Sequence, residues 1–374
     1  MNTRDFLLSA HFFFFSFLIC VAIIVNSLFN MTSPFVPRSK FLYDRVINWF
    51  PGHMAKGLRV ISERLNSVDL IVEVRDARIP LSSINPNFEA TIGRKPRMIV
   101  YNKFDLADPS SKGPVLDAFS RYSPHTPVLF TSSNTDAGVR RILNRASQYA
   151  DKIPMLTVMV VGMPNVGKSS LINSLRRLGV GKGKAAPTGA QPGITRAVVG
   201  TIKVLEDPTI YLIDTPGVMV PHIPQPVESL KVAVTGGIRD HLADEQVMVD
   251  YLLYRLNEFG NHDYVTQFRV PGGPTNDCNL LLESIARRIG AVVKGGDLDL
   301  TMAAKYFLKQ YRLGKFGQYT LDDVSPEALE RFFSESRNFD KDMSASRRQE
   351  KKLAKLQARK EQRERHSKIM TEVV

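Results

Sequence analysis

Cysteine is scarce in this chain of 374 residues, which contains only Cys20 and Cys278. Two cysteines cannot build the disulfide framework of a small secreted domain, and they are too few for a zinc site made of thiolates. A reducing compartment is therefore expected. The length is enough for about two domains and for a sizeable buried core.

Acidic residues are also in short supply, because 37 Asp and Glu stand against 50 Lys and Arg, a formal net charge of +13. Such an excess predicts a polyanionic partner, either nucleic acid or an anionic membrane surface. Much of the excess lies in residues 341–368, which carry few apolar side chains and have little reason to fold alone. This segment is either a solvated tail or an arm that binds nucleic acid.

The N-terminal residues Phe6 to Phe29 are nearly all apolar and are long enough to cross a bilayer as a helix. Three interpretations stay open. The segment is a membrane anchor, or it is part of a targeting signal, although a matrix-targeting peptide should be Arg-rich and amphipathic. Alternatively, translation begins at Met31 and the first thirty residues are a gene-model artefact. The stretch after Met31 resembles a short organelle presequence, with basic residues against one acid: Arg38, Lys40, Arg45 and Asp44.

A glycine-rich loop organises the rest of the chain. Residues Gly162 to Ser169 have the form G-x-x-x-x-G-K-[ST], between a predicted strand (Met155 to Val161) and a predicted helix. This is the context of a phosphate-binding loop, whose N–H groups face phosphate oxygens at a helix N-terminus. Lys168 is expected to reach the terminal phosphates and Ser169 the Mg²⁺ ion. The predicted contacts are Asn165, Val166, Gly167, Lys168, Ser169 and Ser170.

A second motif, Asn102-Lys103-Phe104-Asp105, follows the predicted strand Arg97 to Tyr101. The Asp105 carboxylate can accept both N–H donors on the Watson–Crick edge of guanine, whereas adenine presents a different pattern. The Lys103 stem can cover the base, and Asn102 can brace the loop. Ser132 and Ser133 follow the next strand, Val128 to Thr131, and can supply a backbone N–H for the guanine oxygen.

A third motif, Asp214-Thr215-Pro216-Gly217, follows the apolar run Ile210 to Ile213. Asp214 offers a carboxylate for Mg²⁺, and Gly217 offers an N–H for the γ-phosphate. Thr195, within Pro192 to Arg196, is the predicted threonine that closes over Mg²⁺ when the γ-phosphate is present. The three motifs together predict GTP and Mg²⁺ as ligands.

Strands alternate with helices up to about Pro221, and each motif follows a strand, which predicts an α/β fold with a doubly wound, mostly parallel sheet. Further strands and helices are expected near Val68 to Arg75, Ala197 to Val204 and Val139 to Ala150. Beyond Pro221 helical patterns take over, and a cap at Asn276 or Asp277 is expected. Residues on two shared helix faces are Met248, Leu252, Leu256 and Phe259, and Leu282, Ile285 and Ile289.

The guanine motif precedes the phosphate loop, whereas in ordinary small GTPases the phosphate loop comes first. In this order the chain resembles the YlqF-type circularly permuted GTPases, and it is most similar to the mitochondrial members that assist assembly of the large ribosomal subunit. The resemblance extends from Trp49 to about Glu330. It rests on Trp49 to Met54, Asp76 to Pro80, Asn102 to Asp105, Gly162 to Ser170, Pro192 to Arg196 and Asp214 to Gly217.

The resemblance implies GTP hydrolysis, with His53, Lys168 and Thr195 as catalytic residues. His53 can instead simply cap or pack its turn. Val218 stands where many GTPases carry the glutamine that orients water, so a slow intrinsic rate, stimulated by the ribosomal subunit, is expected. An Asn at the position of Asn165 helps some relatives to hold a monovalent cation, which makes K⁺ a candidate cofactor.

The implied partners are the large ribosomal subunit and its rRNA, with no DNA, on the matrix side of the mitochondrial inner membrane. A membrane-associated regulatory GTPase with protein partners and a cytosolic or nucleolar assembly GTPase remain alternatives. The intact motifs argue against an RNA-binding scaffold that does not hydrolyse GTP.

The expected division of the chain has four parts. Residues 1–44 form the apolar segment and candidate presequence, and residues 45–222 the permuted P-loop GTPase domain. Residues 223–337 form a small helical domain, and residues 338–374 a basic tail. The helical domain follows directly on Asp214 to Gly217, so GTP hydrolysis is hypothesised to reorient it.

Overall fold

A computed structural model describes residues 35–45, 47, 59–85, 92, 95–150, 153, 155–186, 188, 200–218, 223 and 225–335. His53, Thr195, residues 6–29 and the basic residues 341–368 lie outside this part of the chain. None of the helices within it has both the length and the apolar character needed to cross a bilayer.

Within the described residues, six strands form one sheet in the order β3-β2-β1-β4-β6-β5. All neighbours are parallel except β5 and β6, which are antiparallel. The strands are β1 (Leu70–Asp76), β2 (Arg97–Asn102), β3 (Val128–Phe130), β4 (Met155–Gly162), β5 (Ile202–Leu205) and β6 (Thr209–Asp214). The predicted doubly wound, mostly parallel α/β fold is confirmed.

The helices alternate with the strands at first and then follow one another. They are α1 (Lys112–Tyr122), α2 (Arg140–Ala150), α3 (Lys168–Val180), α4 (Pro226–Val234), α5 (Glu245–Glu258), α6 (Asp263–Phe268), α7 (Cys278–Ile289) and α8 (Leu300–Arg312). Residues 59–64 and 326–335 are also helical. We refer to residues 225–335 as the helical region.

The sheet is built outward from its two central strands, β1 and β4. β1 is buried along its whole length, as expected for a strand covered on both faces. The chain runs from β1 to one edge, returns to β4 and then fills the other side, so strand order reverses between β1 and β4. In such a sheet ligands bind at the carboxyl ends of the strands beside this reversal. The register places Asp76 beside Asn102, and Asp214 beside Val160 in β4.

Two predicted strand starts were wrong. Val68 was expected to open β1, but it follows a short 3₁₀ turn and its N–H bonds to the Leu65 carbonyl, so the strand begins two residues later. The strand predicted from Ala197 begins at Ile202, since residues 200 and 201 form no sheet pairs. Both errors arise because β-branched residues occur in turns as well as in strands.

Most buried apolar residues of the helical region, many of them on α5, α7 and α8, belong to the same hydrophobic cluster as buried residues of β1 and β4. Met248, Leu252 and Leu256 of α5 are buried as predicted. Phe259 was wrongly placed with them: α5 ends at Glu258, and the Phe259 ring stacks on Tyr319 with centroids 4.8 Å apart at the surface. The expected cap of α7 is Asp277, whose side chain accepts from the N–H groups of Asn279 and Leu280.

Residues 35–45 pack against the helical region. The Arg38 guanidinium meets the Asp250 carboxylate on α5 at 2.7 and 3.1 Å. The Phe41 ring lies edge-on to Tyr251 with centroids 5.3 Å apart, and the Asn276 amide donates to the Val36 carbonyl. The segment that resembles a presequence therefore contains residues with contacts in the folded chain.

Gly179 lies where α3 packs tightly on β5, because a Cβ at this position would lie 1.8 Å from the Val204 carbonyl oxygen. We expect Gly179→Ala to lower the free energy of unfolding by about 1–3 kcal/mol through overpacking. The matched control is Gly113→Ala in α1, where a Cβ meets nothing within 4 Å. That variant should be unchanged or more stable by up to about 1 kcal/mol. Urea unfolding measures both, and equal effects would contradict the assigned contact.

Candidate nucleotide-binding site

The phosphate loop, Gly162 to Ser169, joins β4 to α3 at the centre of the sheet. Gly167 has a φ of +95° and caps α3, so its own N–H and those of the first turn are directed out of the helix end. A Cβ on Gly167 would lie 2.4 Å from the Asn102 side-chain nitrogen. The second glycine of the motif is thus required by both its conformation and its neighbour. Ser170, also predicted to contact the nucleotide, is exposed in the first turn of α3.

Asn102, predicted to brace its own loop, also hydrogen-bonds to the phosphate loop and to the turn at Ser133. Its side-chain N–H donates to the Val166 carbonyl in the phosphate loop at 3.0 Å. Its side-chain oxygen accepts from the Ser133 N–H at 3.0 Å and from the Ser133 hydroxyl at 2.8 Å. Asn102 is buried, so these bonds satisfy an amide that has no access to water. The guanine loop, Asn102 to Asp105, is thereby fixed to the phosphate loop.

The two serines expected to bind the guanine oxygen are at the carboxyl edge, but their N–H groups are engaged inside the chain. The Ser132 N–H donates to the Ala137 carbonyl at 2.9 Å, and that of Ser133 donates to Asn102. The next N–H of the turn belongs to the exposed Asn134, which has no hydrogen-bond partner among the described residues. Sequence inspection missed Asn134, because only the contacts of Asn102 show how the turn is oriented.

Lys103 and Asp105 follow the end of β2 on one short turn. Lys103 adopts a left-handed conformation with a φ of 61°, and its ammonium lies 3.1 Å from the Asp76 carboxylate. Burial lowers the pKa of Lys103 to about 8, against the opposing effect of Asp76. The Asp105 carbonyl accepts from the Gln318 side chain at 2.9 Å, so the helical region touches the guanine loop directly.

Lys168 is buried against the phosphate loop. Its ammonium donates to the carbonyls of Met163 and Gly162 at 2.6 and 3.2 Å. Burial lowers the pKa of this ammonium to about 8, while Asp214 opposes the shift. A phosphate at the loop would add negative charge beside the ammonium and favour its charged form. The arrangement is therefore suited to hold a polyanionic ligand.

Ser169 and Asp214 form the candidate Mg²⁺ site. The Ser169 hydroxyl donates to Oδ2 of Asp214 at 2.8 Å, and the carboxylate is fully buried. Oδ1 of Asp214 is buried without a hydrogen-bond partner among the described residues, and burial raises the pKa of this carboxyl. A hard cation with oxygen ligands would satisfy this atom, so these two residues fit Mg²⁺. Thr195, the third predicted ligand, lies outside the described residues.

The loop from Asp214 to Gly217 packs on the phosphate loop. The Val218 N–H donates to the Gly162 carbonyl at 3.1 Å, and a Cβ on Gly217 would lie 2.6 Å from Pro164. The Val218 side chain is fully buried in an apolar cluster with Ile61 and Val161, and its carbonyl accepts from Asn85. Val218 therefore contributes no polar group that could orient water.

The phosphate loop also contacts the helical region, which the sequence did not indicate. Asn165, at a φ of 59°, donates from its side chain to the Gly236 carbonyl at 2.7 Å. Gly236 lies in the turn Thr235–Gly237 directly after α4. The Arg78 side chain donates to the Thr235 carbonyl at 3.2 Å in the same turn. The first contact joins residues 71 positions apart in the chain and the second joins residues 157 positions apart. No local sequence pattern predicts contacts over such separations.

Comparison with known proteins agrees with this geometry. Residues 157–266 match the family described as 50S ribosome-binding GTPase. The chain is 42% identical over 296 residues to mitochondrial ribosome-associated GTPase 1 of Xenopus tropicalis, covering 74% of this chain and 94% of that protein. With the protein of the same name from Mus musculus it shares 40% identity over 301 residues, covering 75% and 92%. GNP-bound YlqF from T. maritima has a similar fold, with a TM-score of 0.52 and 24% identity, covering 72% of this chain and 99% of YlqF.

The Ser169 hydroxyl is expected to ligate Mg²⁺, so Ser169→Ala should reduce Mg²⁺-dependent GTP turnover by at least about 10-fold. The matched control is Ser174→Ala, which removes a second hydroxyl on α3 that also donates to a carboxylate, that of Asp136. The control should retain turnover, because Asp136 is not at the phosphate loop. Phosphate release measured across a Mg²⁺ titration checks both variants. Equal Mg²⁺ dependence in Ser169→Ala and Ser174→Ala would contradict the assigned site.

Proposed function

The chain belongs to the YlqF-type circularly permuted GTPases, in the group of mitochondrial ribosome-associated GTPase 1, and we propose that it is a GTP-driven assembly factor for the large subunit of the mitochondrial ribosome that binds rRNA. As a member of this family the protein binds and hydrolyses GTP, with Mg²⁺ as the metal. The observation that carries the proposal is the identity of about 40% to relatives named as ribosome-associated, over more than 90% of their length.

The charge of the chain supports an rRNA partner. A net charge of +13 favours phosphate contacts that are largely independent of sequence and weaken steeply with salt. The basic residues 341–368 would add to these contacts as an arm that orders on RNA. Mitochondria are the proposed location, as in the relatives' names, on the matrix side of the inner membrane.

The contacts of the turn Thr235–Gly237 support a coupling between nucleotide and ribosome. α4 begins at Pro226, nine residues after Gly217, so this helix is tethered to the loop that senses the γ-phosphate. Its other end is held by Asn165 of the phosphate loop and by Arg312 of α8, which donates to the Ala233 and Val234 carbonyls. A change of nucleotide at either end of α4 would shift the helical region, which we propose as a ribosome-binding surface.

A monovalent cation is a finer part of this proposal. Asn165 lies in the phosphate loop, where its side chain donates to the Gly236 carbonyl, and it is the residue that we propose to contact K⁺. A cation there would stabilise charge on the phosphates during hydrolysis. Equal turnover in K⁺ and Na⁺ buffers would remove K⁺ from the proposal.

A membrane-associated regulatory GTPase is the second candidate. The apolar run Phe6 to Phe29 and the basic residues 341–368 favour it, because a basic segment binds anionic lipid. The two candidates differ in what stimulates hydrolysis.

Large subunits of the mitochondrial ribosome are expected to bind the full chain more tightly when it carries a non-hydrolysable GTP analogue than when it carries GDP. They are also expected to raise its GTP turnover. The expected affinity difference is about 10-fold, a coupling of about 1.4 kcal/mol. Co-sedimentation at two salt concentrations and phosphate release measure these effects. Liposomes with anionic lipid serve as the comparison. Stimulation by liposomes and not by subunits would instead favour the membrane-associated GTPase.

His53, the proposed catalytic group, should matter only for stimulated hydrolysis. We expect His53→Ala to bind GTP as the unmodified chain does and to lose about 100-fold or more of the subunit-stimulated turnover, the usual size of a positioned polar group's contribution. His125→Ala, at an exposed position between α1 and β3, is the control and should be unaffected. Nucleotide affinity and single-turnover rates separate the two steps. A loss of GTP affinity in His53→Ala would show that the residue is structural.

A further inference from the structure

The segment Asp76 to Pro80 is one of the motifs on which the family resemblance rests. The phosphate, metal and guanine contacts described above give it no role. Asp76 is the last residue of β1 and is paired in register with Asn102, the first residue of the guanine loop. The Ala77 N–H donates to the Asn102 carbonyl at 2.9 Å. The segment therefore runs directly alongside the guanine loop.

Asp76 and Arg78 form a fully buried ion pair in this segment. Nη2 of Arg78 lies 2.7 Å from Oδ2 of Asp76, and Nε lies 3.0 Å from Oδ1. The Arg78 backbone N–H donates to the same Oδ1. Burial alone would raise the pKa of Asp76, but Arg78 and Lys103 hold it well below its ordinary range. Replacing such a pair by apolar residues of similar size is often neutral, so the pair is weak evidence for a role in stability.

The pair holds a third charged group, the Lys103 ammonium, at 3.1 Å from Oδ2 of Asp76. The Lys103 side chain is 24% exposed and has the longest chain of rotatable bonds in the guanine loop. An unrestrained lysine side chain samples many rotamers. A ligand that requires one of them binds more weakly, because the entropy of the others is lost on binding. The ion pair with Asp76 removes that freedom before the nucleotide binds.

We propose that Asp76 and Arg78 are positioning residues of the guanine pocket, where their buried ion pair holds Lys103 in the orientation that receives the base. Arg78 holds both oxygens of the Asp76 carboxylate and is itself fixed by the Thr235 carbonyl and by the ring of Tyr311, 5.8 Å away. Arg78 fixes the orientation of Asp76, and Asp76 in turn fixes the orientation of Lys103. Asp76 and Arg78 themselves need no contact with the nucleotide.

The same strand contains a second buried ion pair that serves as a comparison. Glu73 and Arg75 lie three residues before Asp76 and Arg78, with Nε and Oε1 2.6 Å apart and equal burial. Their other partners are Arg97 and the Tyr101 hydroxyl, which lie in β2 before the guanine loop. Loss of either pair should lower stability, but only loss of the Asp76 pair should alter nucleotide binding.

The test compares Asp76→Asn with Glu73→Gln in the full chain, using equilibrium binding of fluorescent GDP and thermal unfolding. Asp76→Asn should weaken GDP and GTP binding by about 10-fold, the value of one charge-assisted hydrogen bond, and raise KM for GTP with kcat unchanged. Glu73→Gln should lower the melting temperature comparably and leave affinity within about 2-fold. Asp76→Asn with unchanged nucleotide affinity would overturn the proposal.

A double-mutant cycle with Lys103→Met tests the order of action. If Asp76 acts through Lys103, Asp76→Asn should cause no further loss of affinity once Lys103 is replaced. If the two substitutions weaken nucleotide binding independently, so that their fold losses multiply, the proposal is overturned. Arg78→Lys is the variant to use if Asp76→Asn does not fold; it should weaken binding in the same direction, and unchanged affinity would again overturn the proposal. The assay contains no ribosomes, so its outcome is independent of the proposed ribosomal partner.

Discussion

The buried amide of Asn102 is the constraint on which the nucleotide site depends. In this permuted chain the guanine loop and the phosphate loop belong to separate stretches, 64 residues apart at the Asn102–Val166 contact. β2 and β4 pair in parallel with opposite edges of β1, which brings the two loops to the same end of the sheet, and Asn102 then fixes the spacing between base and phosphates. A buried amide that lost one partner would leave an unsatisfied polar group, at a cost of about 1–3 kcal/mol. The spacing is therefore set by stability as well as by ligand binding.

The permuted order also determines which part of the chain is attached to the nucleotide site. The chain leaves the sheet after Gly217 and enters α4, whose far end returns to the phosphate loop through Asn165 and Gly236. Both ends of α4 thus lie next to loops that belong to the nucleotide site. Gln318 adds a contact to the carbonyl of Asp105. The helical region therefore contacts both the phosphate loop and the guanine loop.

The sequence predicted the sheet and the motif positions because their signals are local. Val158 to Val161 and Met98 to Tyr101 are uninterrupted apolar runs, and each polar motif follows such a run directly. The contacts between Asp76 and Lys103, between Asn165 and Gly236, and between Arg38 and Asp250 had no such signal. They join residues that approach only after the sheet and helices pack. The same holds for Ser132 and Ser133, whose N–H groups are used inside the chain, which only the folded turn reveals.

The burial of Val218 decides how hydrolysis can be controlled. Its side chain contributes to the cluster that holds residues 59–67 against the sheet, and both of its backbone polar groups are bonded. Turning this residue toward the γ-phosphate would break those bonds and expose apolar surface, and the apolar side chain would still offer water no partner. The group that orients water must therefore come from another segment or from a bound partner. A GTPase built in this way keeps its bound GTP unhydrolysed until that group arrives.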